Sequence, residues 1–305
     1  MLSTCMASPD PMPIGGAQAP LFRFAPSPNG FLHLGHAYSA LMNDRLARER
    51  GGMLLLRFED IDRARCRPDY EEAALADLAW LGVAWTPPPT RQSDRFPLYR
   101  AALQRLEAEG LVYPCFCTRG DIAKAIDGKP GWPRDPDGSP LYPGTCRRRT
   151  PAERDNLAAQ GAPAGLRLDL ARALDRLPPG LDWVEYREGG APMGIPAEPA
   201  RWGDALLARK DIPTSYHVSV VVDDAAQGVT DVVRGEDLLA ATGLHRVLQV
   251  LLGLPAPVYH HHRLICDASG EKLAKSRAAP TLRARRATGE SASDLRRALG
   301  FDPTW

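Results

Sequence analysis

The chain has 305 residues, enough for one large domain or two ordinary ones. Its 44% hydrophobic and 25% charged residues are those of a soluble globular protein, and no uncharged run approaches the ~18–20 residues that span a bilayer. A net charge of +1 excludes a protein that coats nucleic acid through a global basic field, while leaving room for a local patch that makes one specific RNA contact.

Residues 1–20 are rich in Met, Pro, Ala and Gly without a basic start and apolar block, and read as a loose tail, not a secretion signal. Residues 21–25 read as a first strand, followed by the turn Pro26-Ser27-Pro28-Asn29-Gly30 and a helix that begins near His33. Met53–Phe58 reads as a second strand whose continuous apolar run suits a buried parallel sheet, completing a β-α-β unit. Ligands in such sheets bind beyond the carboxyl ends of strands, so Glu59 and the Arg23–Ser27 region are expected to face one crevice. Helical patterns cover about 69–81 and 96–110, separated by Pro87-Pro88-Pro89, which cannot be helix interior. Residues 111–203 hold few long periodic segments and many prolines, and are expected to form a smaller inserted domain. Regular patterning resumes near Ala205. A segment from Tyr216 through Asp223-Asp224 leads to a strand over 229–234, a helix carrying Leu238 to Leu252, and a strand through Val258-Tyr259 toward Leu264-Ile265. The expected division is therefore a Rossmann-type α/β parallel-sheet nucleotide-binding core over 21–110 and 204–266, the insertion over 111–203, and a lysine loop with a short helical C-terminal tail over 267–305.

Several groups carry chemistry. A strand, a tight turn and a helix start form a ready site for phosphate, and His33 and His36 lie on one face of the first helical turn. Local hydrogen bonding at a helix start is the plainer use of the same histidines. Gly35 between them leaves no side chain to block a flat base. Lys272 and Lys275, in Lys272-Leu273-Ala274-Lys275-Ser276, can close over a polyphosphate and neutralise charge developing on a leaving group. The six cysteines are too thinly spread for a disulfide framework, and a reducing cytoplasm is the simpler setting. Cys115-x-Cys117 with Cys146 in the same loop-rich stretch suggests a structural zinc site. No histidine occurs between His36 and His217, so the fourth ligand is open. His260-His261-His262 reads as strand-end polar residues in preference to a metal site, and Trp80 and Trp85 as packing residues. Arg147 to Arg149 and Arg283, Arg285 and Arg286 are local basic clusters, the first places to look for RNA phosphate contacts.

Together, His33-Leu34-Gly35-His36 and the distant lysine loop resemble the two motifs of class I aminoacyl-tRNA synthetases. The stretch Arg23 to His36, with Arg57-Phe58-Glu59-Asp60-Ile61-Asp62, Gln92-Ser93 and Arg234-Gly235-Glu236-Asp237-Leu238 in order, is similar to the glutamyl/glutaminyl branch. The similarity runs from about residue 21 to 277. Ala274 and the segment Ala241 to His245 depart from the branch's usual pattern without removing a charged group. Only twenty-nine residues follow Ser276, too few for an anticodon-binding domain, and with the cysteine insertion this resembles the glutamyl-Q tRNA(Asp) synthetase family.

That resemblance implies ATP-dependent activation of L-glutamate, with Mg²⁺ as counter-ion, and transfer to the queuosine base of tRNA(Asp); separately, the chain is expected to be a monomer without membrane association. His33, His36 and Lys275 would stabilise the phosphates. His33, Gly35, His36, Lys272 and Lys275 would bind ATP. Arg23, Phe24, Ala25, Pro26, Ser27, Glu59, Tyr216 and Arg234 would form the glutamate pocket, without fixing which arginine meets which carboxylate. The resemblance also points to Tyr142 as the fourth zinc ligand beside Cys115, Cys117 and Cys146. The competing expectations are a truncated glutamyl- or glutaminyl-tRNA synthetase core and a non-catalytic RNA-binding paralogue.

Overall fold

The computed structural model describes residues 19–187, 190–266 and 280–303. Its ten strands are β1 (Leu21–Phe24), β2 (Met53–Phe58), β3 (Thr86–Arg91), β4 (Val112–Cys115), β5 (Gly165–Leu168), β6 (Asp182–Glu185), β7 (Met193–Pro196), β8 (Leu206–Ala208), β9 (Asp231–Gly235) and β10 (Val258–His262). The helices are α1 (Leu34–Glu49), α2 (Pro68–Trp80), α3 (Phe96–Ala108), α4 (Arg119–Ile126), α5 (Pro151–Ala159), α6 (Leu170–Leu174), α7 (Tyr216–Gln227), α8 (Leu239–Leu251), α9 (Leu282–Ala287) and α10 (Ala292–Ala298). None of the described helices is long and apolar enough to cross a membrane.

The main sheet runs β3-β2-β1-β9-β10-β6-β7, parallel throughout except for the β6–β7 hairpin. Its strand order reverses between β1 and β9, so a crevice opens beyond their carboxyl ends, where Phe24 and Gly235 terminate the two strands. One face of its central strands is apolar, while the other carries the buried arginines Arg23, Arg57 and Arg234. Phe22, Phe24, Leu54, Leu56 and Phe58 pack against Tyr38 and Leu41 of α1 and Leu78 of α2. On a second side, Val218, Val221 and Val222 of α7 pack with Val247, Leu248 and Leu251 of α8.

Strand pairing cuts across the expected domain boundaries in two places. Residues 182–196, assigned to the insertion, form β6 and β7 and join the main sheet through β10. The cause is a two-residue alternation: Trp183 and Glu185 point inward while Asp182 and Val184 stay out, and Trp183 packs on Val229, Val232 and Tyr259. Conversely, β8 pairs with β5 in a separate antiparallel sheet, β4-β5-β8, although it follows residue 204. The Pro87-Pro88-Pro89 run lies within β3 at the sheet edge, where missing N–H donors are tolerated. Finally, β10 stops at His262 and does not reach Leu264-Ile265. Its partner β9 ends at Gly235, opposite His262, and turns into a 3₁₀ segment that offers no further ladder.

Because Trp183 fastens the hairpin to the core, Trp183→Ala should lower unfolding free energy by about 3 kcal/mol. Urea denaturation followed by circular dichroism measures this, and any metal held by the cysteines should be retained.

Candidate active site

The crevice at the strand reversal is a cavity of about 450 Å³. Arg23, Phe24, Ala25, Pro26, Ser27, His33, Gly35, His36, Glu59, Tyr216 and Arg234 all line it, together with Gly235, His262, Leu264 and Ile265. Lys272 and Lys275 lie outside the described residues.

The α1 start shows how two histidines serve structure and surface together. His33 is the N-cap. Its Nδ1 accepts from Gly35 N at 3.1 Å, and His36 Nδ1 accepts from His33 N at 3.2 Å, a reciprocal capping box. An imidazole nitrogen that accepts carries no proton, so each neutral ring bears its hydrogen on Nε2, the atom suited to donate to a phosphate oxygen. Gly35 has a second role besides leaving room for a base: a Cβ there would stand 3.0 Å from His33 Cε1 and press on the cap.

Arg23 and Arg234 are held in opposite ways. Arg23 Nε donates to Asp224 Oδ1 at 3.1 Å. The same oxygen accepts from Arg57 Nη2 at 2.8 Å, and Arg57 is fully buried. Asp223 beside it accepts from Gln92, Arg95 and Tyr99. Burial opposes the charge of Asp224, but Arg23 and Arg57 hold its carboxyl below the usual range. Arg234, by contrast, makes no ion pair with a carboxylate among the described residues, and Glu236 and Asp237 do not neutralise it. Between the two arginines, burial pushes Glu59 up to about 7 against the pull of Arg57 and Arg23. Burial likewise pushes Tyr216 up to about 12, so its hydroxyl stays protonated and can donate.

The Gln92-Ser93 pair has a supporting task. Gln92 anchors Asp223 at 2.9 Å, and Ser93 binds Asp60 through N at 2.8 Å and Oγ at 2.6 Å. The three consecutive histidines are strand residues, as their sequence position suggests: His260 meets Asp231 and His261 meets Glu185, each at 2.8 Å. Asp224, Arg57 and Glu185 escape sequence reasoning, since nothing local marks a partner 201, 167 or 76 residues away.

Away from the cavity, the Sγ atoms of Cys115, Cys117 and Cys146 lie within 4.8 Å of one another. Thiolates about 2.3 Å from a tetrahedral zinc sit about 3.8 Å apart, and Cys117 and Cys146 are already 3.5 Å apart, so the donor set fits the metal. The Tyr142 hydroxyl is 3.3 Å from Cys117 Sγ and accepts from Cys146 N at 2.8 Å, which puts an oxygen at the cluster. Burial raises Cys117 to about 11; Cys146, despite burial, is held down to about 7 by hydrogen bonds from Tyr142 and the Phe116 N–H. Arg167 was not foreseen. It donates to Cys115 Sγ at 3.3 Å and lies over the Tyr142 ring at 4.0 Å, favouring anionic ligands at both. A zinc held by the three cysteines would tie β4 to the loop before α5, where α4 and α5 bury no residue of their own.

The chain matches the model for class I tRNA synthetases (E and Q), catalytic domain, over residues 21–299. A Rhodobacter capsulatus protein named glutamyl-Q tRNA(Asp) synthetase is 50% identical over 284 residues, covering 92% of this chain and 99% of the relative. The chain belongs to the glutamyl-Q tRNA(Asp) synthetase family. A Symbiobacterium thermophilum member is 41% identical, covering 88% of this chain and 82% of its own length. Among solved structures, a glutamate tRNA ligase from Elizabethkingia meningosepticum, crystallised with its amino acid, superposes with a TM-score of 0.69 at 26% identity. That match covers 87% of this chain and 54% of the ligase. Family membership makes the chain a class I synthetase-like ligase, a class that implies ATP and Mg²⁺.

Cys117→Ser should reduce zinc content measured by elemental analysis and loosen the β4-β5-β8 sheet in hydrogen exchange. Wild-type protein that is zinc-free after expression in zinc-replete medium would remove the metal from this account.

Proposed function

We propose that the chain activates L-glutamate with ATP, forming glutamyl-adenylate, and transfers the glutamyl group to queuosine in the anticodon of tRNA(Asp). The carrying observation is that Arg23, Arg234 and the carboxylate of Glu59 line the same cavity as the paired Nε2 donors of His33 and His36. Glutamate presents two carboxylates and one ammonium. Arg23 and Arg234 suit the carboxylates, and ionised Glu59 suits the ammonium.

In the first step, the glutamate α-carboxylate oxygen attacks the α-phosphorus of ATP, an O–P bond forms, and pyrophosphate leaves. His33 and His36 donate to phosphate oxygens from a fixed helix start, and Lys272 and Lys275 would add positive charge from the lysine loop. In the second step, a hydroxyl of the queuosine cyclopentenediol attacks the mixed-anhydride carbonyl, loses its proton, and releases AMP. No side-chain nucleophile is required. The name shared by relatives 50% and 41% identical supports queuosine as the acceptor.

Radiolabelled glutamate should be transferred to queuosine-modified tRNA(Asp) and not to unmodified tRNA(Asp) or tRNA(Glu). Equal charging of either unmodified RNA rejects the acceptor assignment. His36→Ala should slow glutamate-dependent ATP–pyrophosphate exchange by about 100-fold, with a much smaller change in thermal midpoint. The pH dependence has a definite sign. Since Glu59 ionises near 7 in the empty cavity and must be charged to receive the ammonium, the KM for glutamate should rise as pH falls below about 7. The limiting slope is about tenfold per pH unit, and Glu59→Gln should flatten it at a higher KM.

A further inference from the structure

Every donor direction of Arg234 ends on a neutral acceptor. Nε donates to His261 Nε2 at 3.1 Å. Nη1 meets the Tyr216 hydroxyl at 3.3 Å and His245 Nδ1 at 3.2 Å. Nη2 donates to Leu238 O at 3.2 Å and Thr242 Oγ1 at 2.7 Å. A guanidinium can only donate, so both imidazole nitrogens facing it must carry lone pairs.

That requirement propagates outward and fixes three tautomers. With Nε2 accepting, His261 bears its proton on Nδ1, which points at Glu185 Oε2, 2.8 Å away. The other Glu185 oxygen accepts from the His261 backbone N at 2.8 Å, so one carboxylate grips ring and backbone together. With Nδ1 accepting, His245 bears its proton on Nε2, directed at His217 Nδ1, 3.2 Å away, and the His217 proton then sits on Nε2. The groups around these rings are Arg23 from β1, Glu185 from β6, Arg234 from β9, Tyr259 and His262 from β10, Thr242 from α8, Tyr216 from α7, and Trp202.

We propose that Glu185, through His261, and His217, through His245, are positioning residues that hold Arg234 as a charge-uncompensated guanidinium, which meets a substrate carboxylate through its field and through the Tyr216 hydroxyl it donates to, its own N–H groups being engaged. The β6–β7 hairpin thereby delivers a residue of the amino-acid site from behind the cavity, a role its sequence does not suggest. The proposal deepens the glutamate reading of the cavity and rests on it. Neutral brackets matter because a carboxylate in their place would cancel the charge the substrate is to meet, as Asp224 does in part for Arg23. A bracket protonated at the accepting nitrogen would set N–H against N–H and expel the guanidinium. Burial guards against this: it holds His217 down to about 4, His245 well below its ordinary value, and His261 below it despite Glu185.

The test combines tautomer and kinetics. In ¹⁵N-histidine-labelled wild-type protein near neutral pH, long-range proton–nitrogen spectra should show His261 protonated at Nδ1 and His245 and His217 at Nε2. An Nε2–H or doubly protonated His261 overturns the proposal, whatever the substrate. In amino-acid-dependent exchange, His261→Asn, whose amide reaches Glu185 but not Arg234, should raise the KM for glutamate about tenfold or more with the KM for ATP unchanged. His261→Gln, whose amide oxygen can occupy the Nε2 position, should recover most of that loss. An unchanged glutamate KM in His261→Asn, or equal rises in both KM values in both variants, overturns it. Absence of glutamate-dependent exchange in the wild-type protein instead rejects the amino-acid reading, and the tautomers still decide the bracket.

Discussion

One oxygen of Asp224 accepts from two arginines, Arg23 at 3.1 Å and Arg57 at 2.8 Å, where burial denies all three groups adequate water. Such a cluster is stable only when complete, because losing one partner strands the others as buried charges. It also spans the elements that build the cavity. Arg23 lies on β1, Arg57 on β2 next to Glu59, and Asp224 on α7, whose first residue is Tyr216. Holding the cluster together therefore sets the relative positions of three cavity-lining groups. Arg234, bonded to the Tyr216 hydroxyl, obeys the reverse rule, surrounded by acceptors that leave its charge intact.

What was legible in the sequence was what is local. The strand, the Pro/Gly turn and the capped helix around His33 and His36 lie within sixteen residues of one another, and their residue types dictate the backbone path. Cys-x-Cys with a third cysteine in the same loop-rich stretch was similarly readable, since thiols have few alternative uses in that spacing. Arg23 and Glu59 could be brought to one crevice from the β-α-β pattern, whereas Tyr216 and Arg234 needed the family resemblance to join them, and the fold brings all four to one cavity because β1 and β9 are neighbours. The pairing of β6 with β10 was not legible. Its four residues alternate as any half-buried strand does, and nothing in the alternation names the partner. Glu185 was lost with it, as a charged residue in a short strand reads as surface until His261 is placed beside it.

The two sheets solve different problems. The main sheet has ample apolar surface and can hold charged groups at its carboxyl edge. Around the thiols, the small sheet's buried cluster comprises Tyr113, Cys115, Tyr142 and Cys146 with a few partly buried neighbours, too little hydrophobic area to order so many turns unaided. Three close thiols and a phenol supply the donor set by which a metal would make up the difference, and the nearby Arg167 guanidinium favours their anionic forms.

On the proposed reading, an arginine-lined, partly uncompensated cavity selects a dicarboxylic amino acid. Amino-acid-dependent ATP–pyrophosphate exchange with L-glutamate and L-glutamine in parallel tests it most directly, because the two differ by one charged group at nearly constant shape. Exchange is expected with glutamate, with at least about a hundredfold lower kcat/KM for glutamine, whose amide leaves a buried guanidinium without its anion. Comparable exchange with both amino acids would contradict it.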